Sequence, residues 1–123
     1  MTRMWPEEAE RSVLSAVLSA ASFDAGCGLR VLRKARGRGL HPTDFGLASY
    51  GVIYEAMLRL EADGLPVDPV SLAAELDQAH TDPRAVAKLH ALAHEVACFT
   101  AVGRYADIVV RARARRELEE RTS

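Results

Sequence analysis

Aromatic residues are scarce in this chain, and so are cysteines and long apolar runs. Only 6% of the 123 residues are Phe, Trp or Tyr, and the two cysteines are Cys27 and Cys98. No run reaches the ~18 apolar residues that a membrane span needs, and no apolar stretch typical of a secretory signal precedes Pro6. Two free thiols in a reducing cytoplasm are the simplest interpretation, and a single disulfide is the alternative. We therefore expect a cytoplasmic protein with no membrane partner.

The sequence also lacks the motifs of common catalytic sites. It has no Gly-x-x-x-x-Gly-Lys-Ser/Thr phosphate loop, which argues against ATP hydrolysis by this chain alone. His90 and His94 have a spacing that zinc uses, but Ala91 stands where a zinc protease has its catalytic glutamate. We predict two surface or half-buried histidines, no metal, no cofactor and no enzyme. The alternative, a metal enzyme at these histidines, needs further ligands.

The charges of the chain almost cancel, with a formal net charge of −1. They are unevenly distributed: residues 30–38 carry five bases and no acid, whereas acids outnumber bases by seven to two between Glu61 and Glu95. Because the overall field is not basic, we expect any contact with DNA to be weak or indirect. The residues of this weak nucleic-acid hypothesis are Arg30, Arg33, Lys34, Arg36 and Arg38. The alternative is that these bases favour a helix C-terminus and lay their stems over apolar neighbours.

What the chain does contain is Ala, Leu and Val at helical spacing, within a hydrophobic content of 49%. Ala and Leu favour helices, and apolar residues three and four apart predict six of them. The predicted starts are after Trp5, near Ala25, near Leu47, at Asp68-Pro69, at Asp82-Pro83 and near Ala101. Asp-Pro is a strong start, because the aspartate caps the first turn and the first turn tolerates proline. The predicted fold class is all-α, a compact orthogonal bundle of about six helices.

Several details of these helices are also predicted. The first has Pro6 in its first turn, and the second ends at about Ala35. Gly64 ends the third helix after Asp63. The fourth and fifth helices are expected to bury Val70, Leu72, Ala73 and Leu76, and Val86, Leu89, Leu92, Ala93 and Val96.

The last predicted helix, over about residues 101–121, changes character halfway. The apolar stripe of its first half is Val102, Tyr105, Ile108, Val109 and Ala112. Beyond Ala112 only Ala114 and Leu118 are apolar, and the basic run Arg111–Arg116 is interpreted as a solvated face. Arg-to-Glu pairs four residues apart would contribute about 0.2–0.5 kcal/mol each. We expect the final two turns to project from the core, which suggests a missing partner, either another chain or further sequence.

Six short motifs, in order over about residues 6–118, resemble the N-terminal domain of the replicative DNA helicase family named DnaB. They are residues 6–14 (PEEAERSVL), Asp44-Phe45, residues 53–57 (IYEAM) with Leu60, residues 64–72 (GLPVDPVSL) with Glu75-Leu76, residues 89–93 (LHALA), and residues 105–109 (YADIV) with residues 116–118 (REL). Ser15, Tyr50-Gly51 and residues 101–103 depart from the family pattern, which bears on partner contacts rather than on the fold.

The resemblance implies a globular head over residues 6–99 and the first arm of a helical hairpin over residues 100–123. It implies a non-catalytic collar module in DNA replication that self-associates as a dimer or ring and receives primase, a helicase loader or full-length helicase. The residues to which the self-association role is carried are Tyr105, Ile108, Val109, Ala112 and Arg116. The alternative is a small stand-alone DNA-binding or helicase-modulating protein of phage or plasmid type. The sequence does not distinguish a fragment from a stand-alone protein.

Overall fold

A computed structural model of the chain describes residues 6–79, 83–95 and 97–122. Across these ranges it contains six α-helices and no strand. The helices are α1 (Glu7–Phe23), α2 (Ala25–Gly37), α3 (Ala48–Ala62), α4 (Pro69–Gln78), α5 (Pro83–Ala93) and α6 (Val102–Thr122), with 3-10 turns at Pro42–Asp44 and Phe99–Ala101. The predicted all-α bundle of about six helices is confirmed. No helix formed by the described residues has the length and apolar character needed to cross a membrane.

Helix α1 lies at the centre of the bundle and contacts α2, α3, α5 and α6. Its Val13, Leu14, Ala16 and Val17 side chains are 0% exposed, because neighbours surround the helix on most sides. The largest fully buried side chains of the other elements are Leu32, Leu40, Tyr50, Ile53, Tyr54, Met57, Leu72, Leu76, Leu89 and Leu92. These residues form one continuous core.

The helix ends follow the predicted local signals. The Asp68 carboxylate caps α4 by accepting a hydrogen bond from the Ser71 backbone N–H at 2.7 Å, whereas Asp82, the predicted cap of α5, lies outside the described residues. Gly64 follows α3 with φ +71°, a conformation that favours glycine. Two boundaries differ slightly: Pro6 is the cap of α1 rather than part of its first turn, and α2 continues to Gly37.

The inward face of α4 differs from the prediction, because Val70 is 81% exposed. The face that contacts the core is defined by Leu72 and Leu76, one helical turn apart and both 0% exposed. Val70 precedes Leu72 by two residues, which rotates its side chain by about 200° to the opposite side of the helix. Its prediction as a core residue is therefore wrong.

Two of the predicted core residues of α5, Leu89 and Leu92, are buried, and the third residue of the buried face is Ala85 rather than Val86. Ala85, Leu89 and Leu92 form the buried stripe, each at the three- or four-residue step that keeps side chains on one face. Val86 and Ala93 stand one residue beyond this stripe and are half-buried and exposed, respectively. The remaining predicted core residue of this segment, Val96, lies outside the described residues.

Helix α6 stays in contact with the head for longer than predicted. The Arg116 guanidinium donates to the backbone carbonyl of Asp44 at 3.0 Å, and the Arg113 guanidinium donates to that of Thr43. The expectation that the final two turns project is corrected accordingly: α6 contacts the 3-10 turn as far as Arg116, and beyond it Leu118 is 63% exposed. These contacts join arginines to backbone carbonyl groups and involve no apolar side chain. The spacing of apolar residues therefore did not indicate them.

Candidate protein-interaction surface

A groove lies between the first turns of α1 and the middle of α6. It has a volume of about 570 Å³ and is lined by Pro6, Glu7, Glu8, Ala9, Ser12, Tyr105 and Ile108. Tyr105 is half-buried, whereas the apolar side chain of Ile108 is 39% exposed. Two of the predicted self-association residues are thus brought together on one concave surface. We call this surface the α1–α6 groove.

The other three predicted interface residues have different surroundings. Ala112 is half-buried and follows Ile108 by one helical turn, on the same side of α6. Val109 is 0% exposed and belongs to the core of the chain itself, so its side chain contacts the head rather than open solvent. Arg116 faces the 3-10 turn through its hydrogen bond to Asp44.

Helix α1 supplies the polar edge of the groove, which sequence reasoning had not included. The Glu7 carboxylate accepts a hydrogen bond from the Tyr50 hydroxyl at 2.8 Å and lies 3.3 Å from the Arg11 guanidinium. Burial and this contact with Glu7 raise the pKa of Tyr50 above its ordinary value, so Tyr50 acts as a donor. Glu8 is exposed at the same edge. The groove therefore combines apolar walls with an acidic edge.

Glu10 is a buried carboxylate that links α1 to the start of α3. Its side chain is 0% exposed and accepts hydrogen bonds from the backbone N–H groups of Gly46 at 2.8 Å and Leu47 at 3.2 Å. Burial raises the pKa of Glu10, and this outweighs the lowering by the two hydrogen bonds and by Arg116. The N-cap residue of α3, Leu47, makes no side-chain cap hydrogen bond, and Glu10 binds the two backbone N–H groups that immediately precede the helix.

Sequence reasoning treated Glu10 only as a favourable charge near the N-terminus of a helix. A signal for its burial was nevertheless present. Glu10 lies three residues before Val13 and seven before Val17, which places it in the buried stripe of α1. A charged residue in such a stripe indicates a specific partner, because an unpaired buried charge is costly.

The basic segment of residues 30–38 is largely occupied by contacts within the chain. Arg33 and Arg36 both pair with Glu61, the former at 2.9 Å, and the Glu61 side chain is only 5% exposed. Arg38 pairs with Asp107 of α6 at 3.2 Å. Arg30 and Lys34 are exposed. Three of the five bases thus pair with carboxylates of α3 and α6.

The histidines and cysteines lie at separate places. His90 and His94 are exposed, and the Glu95 carboxylate beside them contacts Ser15 at 3.2 Å and Arg11 at 3.3 Å. No group of three or more His, Cys, Asp or Glu residues suited to a metal ion occurs within the described ranges.

Both cysteines are free thiols. Cys27 is half-buried, whereas Cys98 is exposed. The Cys98 sulfur lies 3.1 Å from the Thr100 hydroxyl, and this hydrogen bond lowers the pKa of the thiol. The expectation of two free thiols is confirmed.

Known proteins resemble this chain over most of its length. The family described as "DnaB-like helicase N terminal domain" matches residues 5–111. Among solved structures, the N-terminal domain of DnaB helicase from Mycobacterium tuberculosis is similar with a TM-score of 0.76 and 32% identity. That similarity covers 91% of this chain and 76% of the mycobacterial chain. No match was found among curated proteins.

Proposed function

The chain belongs to the family of DnaB-like helicase N-terminal domains, and on that premise we propose that it is a non-catalytic self-association and docking module of a replicative DNA helicase. In this role, residues 6–99 form the head of a collar, and residues 100–123 begin the helical hairpin. Its place of action is the cytoplasm, during DNA replication. Docking of primase, a helicase loader or full-length helicase belongs to the same proposal and is supported by family membership.

The observation that carries the self-association proposal is the exposed apolar wall of the α1–α6 groove. Tyr105, Ile108 and Ala112 follow one another at three- and four-residue steps, so they lie along one side of α6. Burying this side against a second copy would remove apolar surface from water, which stabilises an interface by about 25 cal/mol per Å². Val109 does not belong to this surface because it packs in the core.

The charge pairs of α2 support a protein-interaction role over autonomous DNA binding. Arg33, Arg36 and Arg38 already contact carboxylates. A phosphate would have to compete with these pairs, and the Glu61 carboxylate would then lose its partners at a site that is 5% exposed.

Light scattering over a concentration series, alone and then with primase or full-length replicative helicase, tests the proposal. We expect a mass above that of the monomer that increases with concentration, and a further shift when a partner is added. A strict monomer that is indifferent to both partners would contradict the function while leaving the fold unaffected.

A further inference from the structure

The exposed side of α4 carries apolar side chains and a carboxylate. Val70 is 81% exposed, and Ala74 and Asp77, which follow it at steps of four and three residues, are exposed as well. Since each residue turns a helix by about 100°, these three side chains lie along one side of α4. The buried Leu72 and Leu76 lie on the opposite side and hold the helix on the core.

The turn that joins α3 to α4 adds a second large apolar side chain, that of Leu65, which is 47% exposed. The Leu65 backbone N–H donates to the Leu60 carbonyl at 2.9 Å, directly after Gly64 with its φ of +71°. Two residues later, Val67 is 0% exposed and anchors the turn in the core. Leu65 is thus exposed in a segment that is fixed on both sides. We call the following residues the α4 face: Asp63, Leu65, Val70, Ala74 and Asp77.

The α4 face is negatively charged. Residues 60–83 contain six acids and neither Lys nor Arg. Glu61 and Glu75 pair with arginines, whereas the Asp63 and Asp77 carboxylates have no ion pair or hydrogen bond in the part of the chain that the structure describes. Both aspartates stand at the C-terminal end of a helix, where the helix dipole favours a cation. This face therefore attracts positive groups.

We propose that the α4 face binds an amphipathic helix of a different protein, one that carries lysines or arginines on both sides of its apolar residues. Exposed apolar surface with a polar rim is typical of protein interaction sites. Steps of four and three residues form the ridges by which two helices pack. With a rise of about 1.5 Å per residue, Val70 to Asp77 spans about 10 Å, which matches two turns of a partner helix. The bases of the partner would pair with the two aspartates.

The α4 face lies apart from α6 and from the α1–α6 groove. The main contacts of α4 are with α3 and α5, whereas those of α6 are with α1, α2 and the 3-10 turns. A second hairpin arm that packs along α6 would therefore not cover the α4 face. For the same reason, the inference does not depend on self-association through the groove.

Other occupants fit the α4 face less well. Its carboxylates repel the phosphates of nucleic acid and of anionic lipid. Two α4 faces packed together would place carboxylates near carboxylates, which is unfavourable because like charges repel. Helix α2 of a second copy would bring the exposed bases Arg30 and Lys34, but over its residues Ala25–Gly37 it exposes no large apolar side chain.

Two synthetic helical peptides with the same leucines test the charge of the occupant. One has lysine beside the leucines, and the other has glutamate there. We expect fluorescence anisotropy to show at least about tenfold tighter binding of the lysine peptide. The double substitution Asp63→Lys/Asp77→Lys should reverse this preference. The matched control Glu117→Lys/Glu120→Lys makes the same charge change on α6 and should retain it.

A single substitution tests the apolar part of the α4 face. Val70→Ser should weaken binding of the lysine peptide by about tenfold, because a buried valine contributes far more to an interface than a serine does. The matched control Phe23→Ser removes a side chain that is 79% exposed at the end of α1. It should leave binding of the peptide unchanged.

Equal binding of both peptides by wild type, or an equal effect of each variant and its control, would overturn the proposal. Circular dichroism checks that every variant is folded. Sedimentation velocity on the same samples separates the possible occupants. An oligomer that is the same in wild type and Val70→Ser agrees with a different protein as the occupant, whereas loss of the oligomer in Val70→Ser alone would reassign the α4 face to a second copy.

Discussion

Glu10 is a charged side chain in an apolar core, and two backbone donors account for its tolerance there. Gly46 and Leu47 immediately precede α3, and their backbone N–H groups have no hydrogen-bond acceptor within that helix. The carboxylate accepts both hydrogen bonds and so fixes the segment before α3 against α1. A polar group buried in this way stabilises a fold only while every partner is present.

The substitution Glu10→Ala should therefore be strongly destabilising. It removes the acceptor of two part-buried hydrogen bonds, from the Gly46 and Leu47 N–H groups, at about 0.5–1.5 kcal/mol for each bond. Glu10→Gln keeps one acceptor oxygen and the shape of the side chain, so it should cost less. Urea unfolding of the two variants measures the difference. Equal stability of Glu10→Ala and wild type would show that the buried contact does not stabilise the fold.

The pH dependence of stability offers a second test of Glu10. Because burial raises its pKa, the folded chain holds this proton more tightly than the unfolded chain does. The resulting stabilisation is complete below the ordinary pKa and is lost as pH rises through the raised pKa. Wild type should therefore gain stability relative to Glu10→Gln as pH falls from about 7 to about 4. If the free energy of unfolding of wild type minus that of Glu10→Gln stays constant or falls as pH is lowered, the raised pKa is contradicted.

Gly51 is required by space rather than by backbone conformation. A Cβ atom at this position would lie 2.6 Å from the backbone carbonyl oxygen of Pro42. Gly51→Ala should therefore destabilise the protein by about 1–3 kcal/mol through overpacking, although alanine is the better helix former. Gly37→Ala is the matched control, because nothing lies within 4 Å of its Cβ position. It should be neutral or stabilising by up to about 1 kcal/mol, and thermal unfolding distinguishes the two.

At the scale of elements, α6 is fixed to the head by apolar contacts in its first half and by arginines in its second. Val102, Ala106 and Val109 are 0% exposed. Arg113 and Arg116 then donate to the carbonyl groups of the 3-10 turn. Within the described residues, the second half of α6 therefore contacts the 3-10 turn through polar groups.

Removing both arginines should loosen the second half of α6 without unfolding the head. We expect Arg113→Ala/Arg116→Ala to accelerate amide hydrogen exchange after residue 112 and to leave α1 protected. The control Arg111→Ala/Arg115→Ala removes the same charge from two exposed positions of α6 and should leave exchange unchanged. If both variants accelerate exchange equally, charge or helix propensity rather than the carbonyl contacts fixes this half.

The elements show which features a sequence can predict. Asp68 and Gly64 act within a few residues of their own helix, so local chemistry was sufficient to predict them. The prediction that Val70 belongs to the buried face of α4 was wrong. The ten residues of this helix include apolar side chains on two faces, and only the packing of the helix on the core determines that Leu72 rather than Val70 is buried. Glu61 shows the limit most clearly. Its partners Arg33 and Arg36 are 28 and 25 residues away, and no local pattern connects them.

Only the part of the α1–α6 groove that lies on one helix could be predicted from the sequence. Spacing along α6 placed Tyr105 and Ile108 in one apolar stripe, and both residues line the α1–α6 groove; their role in self-association stays a prediction. The α1 side of the groove, with Pro6 and Ala9, arises from the packing of two helices distant in sequence. Val109 was indistinguishable from Ile108 by composition, and only the direction of α6 on the head separates the buried residue from the exposed one.

At the scale of the whole molecule, a few large apolar side chains are exposed. They are Phe23, Leu65, Val70, Ile108 and Leu118. Single exposed apolar residues are common on soluble domains and need no partner. Ile108 differs because it opens into the α1–α6 groove, where neighbouring apolar walls would be covered with it. The central claim is therefore that this groove, and not apolar exposure in general, supports self-association.

The most direct test compares the mass of wild type, Ile108→Glu and Val70→Glu by sedimentation velocity over one concentration series. Val70→Glu places the same charge on a side chain that is 81% exposed and lies outside the groove. We predict that wild type and Val70→Glu form the same oligomer, whereas Ile108→Glu is a folded monomer by circular dichroism. An oligomer of unchanged size in Ile108→Glu, or a wild type that stays monomeric throughout, would contradict the claim.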